Sequence, residues 1–271
     1  MLAQVLLAAA LAASVAAQNS ANVTVATVTQ AFTTAKIVPD VLPAFKPTAI
    51  LNVVFLDNTT GVSVNVTPGM NLTREQTALR PQFFLTSNDT SLATQTFVLA
   101  MVDPDAPTPQ NATAAQIRHL LAPGIMANGS LATGAALVND TPAISDFLRP
   151  TPPAGSDPHR YTLLLFIQPA NFTTAVSSFV NSSTPVNNFN ISLLAQELGL
   201  GSPIAGNFFL TGPDANSTNG TSTNSTANGT STAGSPASSN TTSASLGNAD
   251  SVFTATALAT MMFGLSLVSL I

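Results

Sequence analysis

In 271 residues the chain carries 45% hydrophobic and only 7% charged residues, no cysteine and a formal net charge of −5. The apolar share is enough for a core, and the lack of cysteine excludes disulfides and thiolate-ligated metal sites. The acidic balance excludes general nucleic-acid binding, which needs clustered basic residues to neutralise phosphates.

Residues 1–17 are an apolar run too short to cross a bilayer comfortably, with Val15 and Ala17 before Gln18 as at a signal-peptidase site, so a secretory signal peptide is expected. Segment 18–28 is polar and is expected to be disordered. Acceptors of the form Asn-x-Ser/Thr begin at Asn22, Asn58, Asn65, Asn71, Asn88, Asn111, Asn128, Asn139, Asn171, Asn181 and Asn190. That density agrees with a secreted glycoprotein, and any acceptor that carries sugar must lie on the surface.

From residue 29 to 45 a short amphipathic stretch with Phe32, Ile37 and Val38 breaks at Pro39, because proline cannot continue a helix. Runs 51–56 and 62–66 are joined by turn residues 57–61 and predict a hairpin. Further strands are expected at 82–85, 95–102, 117–126, 131–138 and 161–168, mostly bounded by Pro, Gly, Asn or Asp. Helical spacing comes late: Phe189, Leu193, Leu194 and Leu198 share a face before Gly199, and Phe172, Val176, Phe179 and Val180 make a weaker helix. Strands followed by helices predict a mostly β domain, a sandwich or barrel with short peripheral and C-terminal helices.

Residues 213–250 are almost all Ser, Thr, Asn, Gly and Ala, which predicts a glycosylated stalk. Residues 251–271 are apolar or small with no basic residue after them, as in a glycosylphosphatidylinositol signal; a single-pass span is the alternative. The mature protein is therefore expected at the cell surface, attached to the membrane through its C-terminus, and monomeric.

Chemistry concentrates between residues 100 and 161. Both histidines, His119 and His159, lie there, with Arg118, Arg149 and Arg160 among the seven Lys and Arg of the chain. Asp103 and Asp105 end an apolar strand run and, on an extended backbone, point to one side. Arg118 and His119 alternate across a strand in the same way. A Pro-rich loop, 152–158, delivers His159 and Tyr161 to one face with Arg160 on the other. A tight turn, with the aspartates accepting backbone hydrogen bonds, is the plainer account of 103–107, and a core histidine is the plainer account of His119.

Three segments carry a resemblance. Met-Val-Asp-Pro-Asp-Ala-Pro at 101–107, Pro-Pro-x-Gly-x-x-x-His-Arg-Tyr at 152–161 and Gly-Asn-Phe-Phe at 206–209 resemble the signatures of the phosphatidylethanolamine-binding protein family. Ile37 to Leu42, followed by Phe45 and Pro47, is similar to its N-terminal segment, and the likeness runs from about Thr29 to Thr211. That family also includes Raf kinase inhibitor proteins, plant flowering regulators and yeast carboxypeptidase Y inhibitors. The resemblance implies an antiparallel β-sandwich over 29–212 and a small pocket for phosphate, acetate or phosphorylethanolamine. Its residues here are Asp103, His119, His159 and Tyr161, with Asp105 adjacent, Pro107, Arg149, Thr151 and Pro152 at the rim, and a cis bond expected at Pro104 or Pro107. Neither a metal nor any cofactor is implied, and no enzymatic activity.

Two departures bear on the ligand. Arg149-Pro-Thr-Pro-Pro153 stands where many relatives are glycine-rich, so Thr151 narrows the mouth and Arg149 adds charge; the chain also has no tryptophan. The pocket is expected to bind better as pH falls through the upper sixes, because an anionic partner favours charged imidazole. The rival expectation is inhibition of a secreted or vacuolar protease, such as a serine carboxypeptidase, through a protein interface. A facial metal triad of two histidines and a carboxylate, and a hydrolase, are weaker alternatives, since no Gly-x-Ser-x-Gly elbow occurs.

Overall fold

The computed structural model describes residues 23–214. The signal, most of the stalk and the anchor expected from the sequence lie outside them. Among the described residues no helix is long and apolar enough to cross a membrane.

The expectation of disorder through residue 28 is corrected at its end, because helix α1 spans Val25–Thr34. Thr24 caps it: its hydroxyl accepts from the Thr27 N–H, and the Thr27 hydroxyl accepts from the Thr24 N–H. Val28 and Phe32, one turn apart, are buried. The Phe32 ring stacks on Phe45 at 4.1 Å and meets the edge of Phe208 at 5.5 Å. Below it lies Gly206, where a Cβ would stand 2.9 Å from the Phe32 ring and 3.0 Å from the Leu163 carbonyl, so only glycine fits. α2 is a single turn, Ile37–Asp40, interrupted by extended Val38 before a cis Val38–Pro39 bond.

Nine strands form one sheet, in the order β2-β1-β4-β7-β6-β5-β8-β9-β3. Their ranges are β1 Ile50–Leu56, β2 Ser63–Asn65, β3 Met70–Asn71, β4 Gln82–Thr86, β5 Thr96–Asp103, β6 Ile117–Asn128, β7 Ala135–Asn139, β8 His159–Ile167 and β9 Ala205–Thr211. Every pairing is antiparallel except β3 with β9. The β1–β2 turn is closed by the Asp57 carboxylate, which accepts from the N–H groups of Thr59 and Thr60. The expected sandwich is one continuous curled sheet whose two ends approach. The Asn207 amide of β9 donates to the carbonyls of Leu51 on β1 and Val66 just past β2, and so ties the leaves together.

Two cores follow from the period of two along the central strands. Phe97, Leu99 and Met101 of β5, with Tyr161, Leu163 and Leu165 of β8, fill the space inside the curl. Val98, Ala100 and Val102 of β5, with Leu164 and Phe166 of β8, pack outward under the helices. A central strand buried on both faces reads as an unbroken apolar run, which is what 97–102 is. Each fully buried Leu or Phe contributes roughly 1.5–3 kcal/mol to such a core.

The helices are shorter than their spacing predicts. α3 is Phe172–Ala175, continued by a 3-10 turn, and α4 is Ile191–Glu197, capped by Asn190, whose side chain accepts from Leu193 N–H. Leu193 does not share the buried face: it is 53% exposed, while Ile191, Leu194 and Ala195 pack inward. The run expected as a strand from 131 starts only at Ala135, because Gly134 takes a positive φ of 98° that ends a turn. Strand β9, which completes the sheet beside β8, has no counterpart among the strands expected from the sequence.

Candidate functional site

Asp103 is the last residue of β5 and lies on the inner face. Its Oδ2 is 2.8 Å from His159 Nδ1 and 3.9 Å from His119 Nε2. The first is a charge-assisted hydrogen bond, and the second is too long for one. His159 and Tyr161 stand two residues apart on β8 and so face the same way. The His119 ring meets Tyr161 edge-on at 5.0 Å, and Tyr161 stacks on Phe209 at 5.3 Å. Asp103, His119, His159 and Tyr161 are exposed by 3%, 4%, 1% and 1%, so four polar side chains share one enclosed spot.

His119 reaches that face through a bulge. Met101 pairs with Leu120 but Val102 pairs with Arg118, so His119 is the extra residue on β6 and joins Leu120 on the inner side. It is pinned there by Leu148, whose N–H donates to the His119 carbonyl at 2.8 Å and whose carbonyl lies 2.7 Å from His119 Nδ1. Burial lowers the His119 pKa below the ordinary 6.5, more than the Leu148 carbonyl and the Asp103 carboxylate restore, with His159 also opposing the charge. The imidazole is therefore harder to charge than a free one, and an anionic partner would favour the charged form. Burial, then the Asp103 carboxylate, push the Tyr161 phenol above its usual range, so it stays protonated; its oxygen accepts from Thr151 N–H.

Asp105 does not join this cluster, which corrects the expectation that the two carboxylates point to one side. The Asp105 N–H donates to Asp103 Oδ1 at 2.8 Å, an Asx turn that ends the extended backbone. The Asp105 carboxylate then grips Arg160 from the outer face, accepting from its backbone N–H at 2.7 Å, its Nε at 3.0 Å and its Nη2 at 2.7 Å. Arg160 also donates to Asp40 at 2.8 Å and to the Ala35 carbonyl at 2.7 Å. Burial alone would lower this guanidinium's pKa, but the two carboxylates raise it. A polar cleft of ≈ 430 Å³ adjoins this cluster, lined by Asp40, Asp105, Gln116, Arg160 and Asn188 among others.

Of the rim residues, Thr151 is exposed and hydrogen-bonds Tyr161 through its backbone, and Pro152 is buried. Arg149 reaches Glu75 at 3.7 Å, which offsets its charge. Pro107 is exposed and follows a cis bond from Ala106, whereas the bond before Pro104 is not among the cis peptides. Arg118 points outward. Its Nε donates to Ser145 at 2.6 Å and its Nη2 to the Thr184 carbonyl at 2.9 Å, and its guanidinium lies 5.3 Å from the Phe189 ring.

A model of the family described as phosphatidylethanolamine-binding protein matches residues 62–209, more than half of the sequence. The chain belongs to the phosphatidylethanolamine-binding protein family. It is similar to a 26 kDa secreted antigen of Toxocara canis, 31% identical over 179 residues, covering 66% of this chain and 62% of that protein. Its fold is similar to the crystal structure of carboxypeptidase Y inhibitor complexed with the cognate proteinase, at 24% identity and a TM-score of 0.59, covering 72% of this chain and 100% of that one. It is similar also to the phosphatidylethanolamine-binding protein from Plasmodium vivax, at 16% identity and a TM-score of 0.55, covering 68% of this chain and 97% of that one. These likenesses agree with the curled, mostly β sheet described above.

Two residues beside this candidate cluster carried no signal in the sequence. Ser156, buried in the Pro-rich loop, lies 2.9 Å from His159 Nε2 and donates to the Asp157 carbonyl at 2.8 Å. Its spacing of three from His159 on a loop whose conformation was unspecified hid it. Arg74, just past β3, lowers the Tyr161 pKa slightly and pairs with Asp214 at 2.7 Å. Nothing in the residues around Arg74 announces that β3 runs beside β9.

Proposed function

We propose that this family member is a non-enzymatic binding protein whose inner-face cluster takes a small anion: phosphate or a phosphorylated headgroup such as phosphorylethanolamine. The observation that carries this reading is the convergence of His119, His159 and Tyr161 on one buried carboxylate. The Tyr161 hydroxyl is a donor, and His119 Nε2 becomes one on protonation. The charges of Arg74 and Arg149 are already met by Asp214 and Glu75, so the donors for the anion are Tyr161 and His119. Asp105 belongs to the support of the pocket, through Asp103 and Arg160, and does not touch the ligand. Calorimetry with phosphate and phosphorylethanolamine tests this: His119→Ala is expected to weaken binding at least about tenfold, and unchanged affinity contradicts the assignment.

Display at the cell surface is part of the same proposal. It rests on the apolar N-terminal run, the Ser/Thr/Asn-rich segment and the apolar C-terminal run in the sequence. The exposure of Asn58, Asn65, Asn71, Asn88, Asn111, Asn128, Asn139, Asn171, Asn181 and Asn190 supports it, since each of these acceptors is open to a glycan. Release from cells by phosphatidylinositol-specific phospholipase C checks the lipid anchor; retention after treatment argues for a span.

A second reading has one observation in its favour, the fold shared with a carboxypeptidase Y inhibitor solved with its proteinase. On that reading the protein inhibits a secreted or vacuolar serine carboxypeptidase. Inhibition that survives His119→Ala would assign it to a surface separate from the pocket.

A further inference from the structure

We propose that Ser156 is a positioning residue that holds His159 as a doubly protonated imidazolium, so that an anion entering the pocket is accompanied by one proton taken up at His119. The first half stands on hydrogen-bond geometry alone; the second rests on the anion-pocket reading.

A serine hydroxyl has one hydrogen. The Asp157 carbonyl can only accept, so at 2.8 Å it takes that hydrogen. The Ser156 oxygen, 2.9 Å from His159 Nε2, is then left to accept, and Nε2 must carry a hydrogen. On the other side of the ring, Asp103 Oδ2 at 2.8 Å accepts from Nδ1. Both ring nitrogens are therefore donors, which only the imidazolium provides. Its charge is balanced by Asp103, whose other oxygen accepts the Asp105 N–H.

The connectivity Ser Oγ to His Nε2, and His Nδ1 to Asp, is that of a nucleophilic triad. There the hydroxyl donates to a neutral imidazole. Here the hydroxyl hydrogen is spent on a backbone carbonyl, and the ring has no lone pair to receive it. Ser156 orients and charges His159; it does not attack.

His119 is the complement. Its Nδ1 donates to the Leu148 carbonyl at 2.7 Å, and its Nε2 has only the 3.9 Å approach to Asp103. The groups facing it are Asp103 from β5, His159 and Tyr161 from β8, and the Leu148 carbonyl from the loop after β7. Neutral His119 thus presents a lone pair, which repels an anion. His159 has no hydrogen to spare, since both are engaged. A second donor beside the Tyr161 hydroxyl arises when His119 Nε2 binds a proton from solvent, forming one N–H bond and turning the pocket's only adjustable nitrogen towards the anion.

With two histidines in the chain, two-bond ¹H–¹⁵N correlation spectra of the ¹⁵N-labelled full chain at about pH 7.5, a unit above the ordinary histidine pKa, read both rings; His119→Gln assigns them. Expected are a doubly protonated pattern for His159 and a neutral Nδ1–H pattern for His119. Ser156→Ala should lose the doubly protonated pattern, and Ser156→Thr should restore it, which separates the hydroxyl from any general damage to the loop. Inorganic phosphate should convert His119 to the doubly protonated pattern. A neutral His159 in the unaltered protein overturns the lock, and so does a doubly protonated His159 in a folded Ser156→Ala. If Ser156→Ala does not fold, the unaltered and Ser156→Thr spectra still decide. Phosphate that shifts Tyr161 signals while His119 stays neutral overturns the proton uptake. A lock that holds while phosphate moves neither histidine nor Tyr161 refutes the anion-pocket reading instead.

Discussion

Asp103 and Asp105 stand two residues apart, yet they serve opposite faces of the sheet and do opposite work. On the outer face Asp105 accepts three N–H groups of Arg160, which also holds Asp40, so the cluster is saturated and links β8 to α2 and the turn after β5. On the inner face Asp103 binds one imidazole and only approaches the other, so His119 Nε2 keeps its bonding capacity. The difference teaches how to separate support from site among buried ionisable groups. A group whose partners are all internal is architecture, and a polar atom left without a close partner is a candidate for contact with a ligand.

The strongest way to break the comparison is Asp105→Ala. It leaves Arg160, with 18% of its side chain exposed, bound only to Asp40 and a carbonyl, and should destabilise the fold by about 3 kcal/mol in denaturant titration. The folded fraction should still bind phosphate. His119→Ala should do the reverse: a loss of at least about tenfold in anion affinity by calorimetry, with a stability cost of only about 1 kcal/mol from the lost Leu148 hydrogen bond.

The pH response sharpens the contrast further. The folded pKa of His119 lies below its unfolded value, so the unfolded chain takes the proton first as pH falls. The stability this provides is fully present above the ordinary value of about 6.5 and is lost as pH falls through the folded pKa. The thermal midpoint of the ligand-free protein should therefore drop on acidification, and His119→Gln should flatten that dependence. Phosphate binding should run the other way and strengthen with acid. The smallest effect is expected at the mouth: Thr151→Gly should change anion affinity within about threefold, because Thr151 is exposed and contributes its backbone N–H, which glycine retains.

Much of this was legible in the sequence for a definite reason. The hairpin of β1 and β2 and the runs that became β5, β6 and β8 show alternation or continuous apolar stretches between turn residues, signals that survive without tertiary context. The pairing of His159 with Tyr161, and the opposed direction of Arg160, followed from strand period alone. What was not legible depended on register or on loop shape. The bulge that turns His119 inward is a mismatch between two strands, invisible in either one. The reversal of Asp105 comes from one side-chain hydrogen bond that ends the strand at Asp103. Strand β9 hides behind Gly206 and Asn207, residues that weaken a strand signal and are present because Phe32 crowds one and β1 needs the amide of the other. α1 begins early because two threonines cap it, a local bond weaker in the sequence than the polar composition around it.

The most direct test of the anion-pocket reading is a crystal of the protein soaked with phosphate. The expected density lies on the inner face, within hydrogen-bond reach of His119 Nε2 and the Tyr161 hydroxyl. Density confined to the outer cleft beside Asp40, Gln116 and Arg160, with the inner face bare, would contradict it.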